Sequence, residues 1–320
     1  MTIETVAEEF TGIAAKDFEV MARTVRRYQK AHNPVLARYP AEHPYLPVAA
    51  FKHAALTCFP PEEAERVFVS SGTGSGLRSR HFVRSLALYE RAVRVHFEAV
   101  FGPGPFTLIG HLPHYADSGP ASSLITMVDC LIRTFGDAHS DFFLDDVTVL
   151  DRAITHSAAT DTPLLLFGAA FGLLTLLEKH PWCLPVGARI IETGGMKTHR
   201  QETTRESLHH RLASGFGIAT EQVWSEYGMC ELMSQAYAQG GPVYMPPPWM
   251  RVRVVDPAQP EREMPEGEPG ALAVFDLANC YSAAAILTED LGVCRGAGFE
   301  VLGRLPQSAL RGCNFLFDGV

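Results

Sequence analysis

The chain has no paired-cysteine motif. Its seven cysteines (Cys58, Cys130, Cys183, Cys230, Cys280, Cys294 and Cys313) are scattered, odd in number and never spaced Cys-x-x-Cys. That pattern gives no support to a zinc site or a disulfide framework and points to reduced thiols in a cytoplasm. Positive charge is also short: the formal net charge is −9, which argues against a nucleic-acid-binding surface. The longest apolar stretch, Pro163 to Leu177, is too short for a bilayer. Met1 to Phe10 is acidic, where a secretory leader would be basic and then apolar. What remains is a 320-residue chain, 47% hydrophobic, with apolar content for a large α/β core.

The most informative stretch is a short β-branched run, Val67-Phe68-Val69, that opens into Ser70-Ser71-Gly72-Thr73-Gly74-Ser75-Gly76. Glycines tolerate positive φ and let backbone N–H groups approach an anion, and the hydroxyls add donors. Arg78 and Arg80 follow with positive charge. The segment therefore reads as a phosphate loop. It lacks the lysine of a Walker A loop, and its G-x-G-x-G spacing is not the dinucleotide fingerprint, although Glu90 stands where a ribose-binding acid could fall.

Elsewhere the pattern predicts alternating helices and strands. Residues 1 to 60 read as helices broken by prolines, including one over Phe18 to Ala31. An amphipathic helix follows over Ser85 to Phe101, with Leu86, Tyr89, Val93 and Phe97 on one face, and then a strand over Phe106 to Gly110. Helix, strand and helix are expected between Ser122 and Leu150. Pro163 to Leu177 reads as a buried helix, started by Asp161-Thr162-Pro163 and ended by Glu178-Lys179-His180-Pro181. A strand over Ala188 to Glu192 delivers Thr193-Gly194-Gly195-Met196-Lys197, a helix covers Glu202 to Phe216, and a strand covers Gln222 to Trp224. From Pro242 on, short alternating runs such as Met250 to Val255 and Gly270 to Phe275 suggest a small β-rich lobe. The expected division is an α/β core over 1–241 and that lobe over 242–320.

Five segments in order resemble the adenylate-forming superfamily. Ser70 to Gly76 resembles its Ser-Ser-Gly-Thr-Thr-Gly loop, departing at Gly74 and Ser75. Leu112 to Gly119, with His114, resembles its Pro-x-x-His-x-x-Gly stretch at imperfect spacing. Tyr227-Gly228-Met229-Cys230-Glu231 resembles Tyr-Gly-x-Thr-Glu, with Cys230 in place of threonine. Thr288-Glu289-Asp290-Leu291-Gly292 resembles Thr-Gly-Asp-Leu-Gly, and Gly303-Arg304 the Gly-Arg hinge element. Gly194-Gly195-Met196-Lys197 and Arg311-Gly312-Cys313-Asn314 narrow the resemblance, across roughly residues 20 to 318, to the LuxE-type acyl-protein synthetases of bacterial luminescence.

The resemblance implies an α/β fold: mixed sheets flanked by helices plus the β-rich lobe, without the superfamily's mobile C-terminal domain. It also implies ATP-dependent activation of a carboxylic acid, in that family a fatty acid, to acyl-AMP. The acyl group then passes to a cysteine and on to a partner acyl reductase, with ATP and Mg²⁺ as cofactors. By the same resemblance Ser70 to Gly76, Gly194, Gly195, Tyr227, Gly228, Asp290 and Arg304 bind nucleotide, and Glu231 faces the metal. An ionised Asp290 suits ribose hydroxyls, and Tyr227 offers a flat face for adenine but equally reads as a core tyrosine. Lys197 could balance charge at phosphorus, though a surface lysine is an even alternative. His114 could shape the acyl site or sit in the core. Cys313, beside Arg311, is the expected acyl carrier, with Cys230 the second choice. Two other functions stay open: an adenylating ligase that passes its acyl group to coenzyme A, a carrier thiol or an amine, and a non-catalytic nucleotide-binding scaffold.

Overall fold

A computed structural model describes residues 1–71, 77–113, 121–194 and 204–305. The chain divides into two compact units: residues 1–92, 229–234 and from 245 on form one, and residues 93–228 with 235–244 form the other.

The first unit begins with helices Ile3–Glu9, Phe18–His32 and Pro34–Arg38. Asn33 ends the second and caps the third through its side-chain oxygen, with proline in the first turn, where its missing N–H costs nothing. The two-residue strand β1 (Leu46–Pro47) follows, and then a hairpin of β2 (Arg66–Val69) and β3 (Arg80–Val83), antiparallel with Val69 opposite Arg80. The expected phosphate-binding stretch begins where β2 ends, and of it Ser70 and Ser71 are described.

The second unit is a six-stranded sheet in the order β5-β4-β6-β7-β8-β9: β4 (Thr107–His111), β5 (Asp141–Phe143), β6 (Leu164–Ala169), β7 (Arg189–Thr193), β8 (Val223–Tyr227) and β9 (Ala236–Gln239). The first five strands run parallel and β9 runs antiparallel to β8, and the short strand β10 (Val243–Tyr244) follows β9 in the chain without belonging to this sheet. Ile109, Leu164, Leu166, Ile190 and Val223 pack with side chains from helices Thr148–Thr160, Ala170–Lys179 and Arg205–Phe216.

Pro163 to Leu177 departs from the helix expected there. Its first part is strand β6, hydrogen-bonded on both sides to β4 and β7, and the helix starts at Ala170. Leu164 to Phe167 are fully buried. A strand covered on both faces loses the alternation that betrays it, so its continuous apolar run imitates a core helix.

The last part of the first unit is antiparallel: β11 (Met250–Asp256), β12 (Gln259–Glu263), β13 (Gly270–Asp276), β14 (Ala285–Arg295) and β15 (Gly298–Arg304), in the order β15-β14-β13-β11-β12. β1 adds to β14 in parallel. No described helix is long and apolar enough to cross a membrane.

Candidate active site

In the first unit the expected phosphate loop starts beside a hydrogen-bonded pair of serines. Ser70 N–H donates to the Ser79 carbonyl at 3.1 Å, and Ser79 N–H donates to Ser70 Oγ at 3.1 Å. Ser70 and Ser79 thus extend the pairing of β2 and β3 by one residue each, and Ser71 is exposed. The Ser79 hydroxyl also donates to the Glu231 carboxylate. Glu231 is 7% exposed, and burial raises its carboxyl above the usual range. The Ser79 bond and the charges of Lys52 and Arg304 oppose that rise. A buried carboxylate of this kind fits one position on a hard divalent cation whose other ligands are phosphate oxygens and water. No three His, Cys, Asp or Glu side chains gather into a protein-only metal cage among the described residues.

Cys230 precedes it, buried at 9% exposure, its thiol pushed well up by burial and by the neighbouring Glu231. Such a thiol holds its proton and is a poor nucleophile.

Asp290 and Arg304 are brought together by two irregularities. Ala271 pairs with Leu291 and Ala273 with Leu287, so Thr288, Glu289 and Asp290 stand opposite Leu272 alone. The bulge is braced by Thr288, whose hydroxyl donates to the Leu272 carbonyl at 2.8 Å and accepts from Asp290 N–H at 3.1 Å. A second bulge leaves Leu302 without a partner, because Gly292 pairs with Val301 and Leu291 with Gly303. Arg304 then lies opposite Asp290, and its Nη1 sits 3.2 Å from Asp290 Oδ1. Bulges re-aim side chains in this way beside functional sites.

In the second unit the carboxyl ends of β7 and β8 lie side by side, with Glu192 opposite Ser225 and Thr193 opposite Glu226. Ser225 Oγ donates to Glu192 Oε1 and lies 2.9 Å from His209 Nε2; Thr193 Oγ1 donates to Glu226 Oε2. Glu226 is pushed up to about 7 by burial and by the charge of Glu192, against the bond from Thr193. Gly194 follows at φ +92, a left-handed conformation that glycine adopts freely. Tyr227 is buried, its ring centroid 5.7 Å from that of Tyr244. Gly228 is exposed, and a Cβ there would collide with Glu226 Oε1. Ligands of open α/β sheets gather at such strand ends.

Gly72 to Gly76, His114, Gly195, Lys197 and Cys313 lie outside the described residues. The structure adds groups that sequence reading missed: Ser79, His81, Asp276 and Asn279 around the 229–234 segment, and Thr193 with Glu226 at the strand ends. Ser79 had a local signal, a hydroxyl directly after the loop. The others touch partners far away in the chain and had none.

The family model for acyl-protein synthetase, LuxE, matches residues 16–318. The long-chain-fatty-acid–luciferin-component ligase of Aliivibrio fischeri is 24% identical over 298 residues, covering 85% of this chain and 77% of its own. Among solved structures, 2-hydroxyisobutyryl-CoA ligase with 2-HIB-AMP superposes with a TM-score of 0.66 at 14% identity, over 92% of this chain and 69% of that one. ATP-bound MatB from Rhodopseudomonas palustris gives 0.54 at 18% identity, over 74% of this chain and 47% of its own, so this chain spans about half of it. The fold is that of the adenylate-forming enzymes, as the motifs implied. With the family model spanning nearly all of it, the chain belongs to the LuxE acyl-protein synthetases, acid–thiol ligases that form acyl adenylates.

Proposed function

We propose that this ligase uses ATP and Mg²⁺ to activate a carboxylic acid, a fatty acid in keeping with its family, and parks the acyl group on Cys313 for a partner acyl reductase. The observation that carries the nucleotide reading is Ser79. Its backbone pairs with Ser70 at the start of the expected phosphate loop and its hydroxyl reaches Glu231, so one residue joins the anion cradle to the metal-facing carboxylate.

In the first half-reaction a substrate carboxylate oxygen attacks the α-phosphorus of ATP. An acyl–phosphate bond forms, the bond to the β-phosphate bridging oxygen breaks, and pyrophosphate leaves. This is mainly a problem of positioning and charge neutralisation. Ser70 to Gly76 cradle phosphate, Asp290 accepts from ribose hydroxyls, Arg304 faces ribose or α-phosphate, and Gly194, Gly195, Tyr227 and Gly228 border the base. A bound Mg²⁺ supplies phosphate charge neutralisation, with Glu231 as its protein ligand. Lys197, two residues after Gly195, would offset charge at the pentavalent phosphorus, and His114 would border the acyl site. In the second half-reaction the Cys313 thiolate attacks the acyl carbonyl, the acyl C–O bond of the mixed acyl–phosphate anhydride breaks with its electron pair going to AMP, and a thioester remains. A thiol of the reductase then exchanges with it. The raised thiol of Cys230 favours Cys313 as carrier.

The test combines acid-dependent pyrophosphate exchange with trapping of labelled acyl group on denatured protein. Cys313→Ser should keep exchange and lose the hydroxylamine-sensitive label, and Lys197→Ala should slow acyl-AMP formation by orders of magnitude with ATP binding nearly intact. Gly72→Val should weaken ATP binding severely. Exchange without covalent label on the wild type would favour a ligase that releases its acyl group to a small thiol or amine. No exchange with any acid would favour a nucleotide-binding scaffold.

A further inference from the structure

The segment that carries Glu231 is held by three buried side chains from elsewhere in the first unit. Asn279, 2% exposed, ends the short helical turn Leu277–Asn279 and donates through Nδ2 to the Glu231 carbonyl at 2.9 Å and the Ala283 carbonyl at 3.0 Å. With both amide protons so used, its Oδ1 faces His81 Nε2 at 3.1 Å, and His81 Nδ1 faces the Cys230 carbonyl at 2.8 Å. Phe51 packs edge-on against the His81 ring, with centroids 5.4 Å apart. Asp276 accepts from Met233 N–H at 3.0 Å and Ser234 Oγ at 2.8 Å. The two carbonyls that flank the Glu231 peptide nitrogen and Cα are therefore both gripped by side chains, which fixes where the Glu231 side chain departs from the main chain.

We infer that Asn279, supported by His81, is a positioning residue for Glu231 and sets how strongly the site holds its divalent cation. The inference rests on the reading of Glu231 as the metal-facing carboxylate. A core that needed only to be filled would take an apolar side chain of the same size at position 279. An amide that spends both of its donors on main-chain carbonyls instead specifies one geometry. Groups that orient a metal ligand tune affinity by about 10–100-fold in characterised sites.

Asn279→Asp replaces the donating nitrogen by an oxygen facing two carbonyls, and Asn279→Ser shortens the group. His81→Gln is a milder change that leaves the Asn279 donors in place. The readout is Mn²⁺ affinity, followed by proton relaxation enhancement with a non-cleavable ATP analogue, next to nucleotide affinity measured without metal. Both Asn279 variants should weaken Mn²⁺ binding about tenfold and His81→Gln about threefold, with metal-free nucleotide affinity within about twofold of wild type. Glu231→Gln separates the two levels of the argument. If it binds Mn²⁺ as wild type does, the metal reading of Glu231 fails. If it loses Mn²⁺ while folded Asn279 variants and His81→Gln all bind normally, the positioning inference is overturned. Should the Asn279 variants not fold, His81→Gln decides alone, and unchanged Mn²⁺ affinity there rejects the inference.

Discussion

Asp276 in the first unit and Glu226 in the second are both buried carboxylates, yet they are held in different ways. Asp276 accepts from the backbone N–H groups of Met233 and Ala278 and from the Ser234 hydroxyl, which Trp249 Nε1 also approaches at 2.9 Å. Glu226 has the Thr193 hydroxyl on one oxygen and a second carboxylate, Glu192, close by. Burial raises both, Asp276 to about 6 and Glu226 to about 7. The two rises are similar in size although three donors oppose the one and a single hydroxyl the other, so burial outweighs the hydrogen bonds at both carboxylates.

The difference can be broken most severely at Asp276. Asp276→Ala strips the partner from two buried N–H groups and a hydroxyl, and should cost about 3 kcal/mol in urea unfolding. An effect below about 1 kcal/mol would mean that the anchor is redundant.

Glu226→Gln should act in the opposite direction. A carboxyl raised from 4.5 to about 7 binds its proton more tightly in the folded state. Its contribution to stability is thus full below about pH 4.5 and is lost as pH rises through about 7. The glutamine keeps an acceptor for Thr193 and carries no charge. Relative to wild type the variant should gain about 3 kcal/mol between pH 4.5 and pH 8. Parallel pH profiles for the two proteins would show that Glu226 does not titrate there.

Gly228→Ala places a methyl group against Glu226 Oε1 and should cost about 1 to 2 kcal/mol. A double-mutant cycle with Glu226→Ala should recover most of that loss. Additive losses would assign the cost to the backbone. Smallest of all, Cys230→Ser should change stability by about 1 kcal/mol or less and leave the yield of acyl label unaltered. Loss of label in that variant would move the acyl carrier to Cys230.

Much of the fold was legible because amphipathic elements keep their periods. The helix Leu86–Phe101 buries Tyr89, Val93 and Phe97, and Met250–Asp256 and Gly270–Asp276 are the strands expected there. β6 was not legible, since a strand covered on both faces has no polar face to reveal its period. At the site, glycines and motif residues drew attention to Ser70, Tyr227, Glu231, Asp290 and Arg304, where local sequence carries the signal. Asp276 and Asn279 lie in Phe275-Asp276-Leu277-Ala278-Asn279-Cys280, which looks like an interrupted core strand. Their partners at Glu231, Met233 and Ser234 are more than forty positions back, so chain order hides them.

The paired bulges of β14 and β15 also limit how the length of this chain can vary. Asp290 and Arg304 meet because the hairpin between them, closed where Arg295 pairs with Gly298, contains one unpaired residue, Leu302. Two residues added at the Gly296–Ala297 turn could lengthen both strands and leave the pair facing. One residue added or removed between Gly298 and Arg304 would turn the arginine to the opposite face of the sheet, because side chains alternate with a period of two. The hairpin behaves as a ruler with even divisions, on which natural or engineered variants can slide in steps of two.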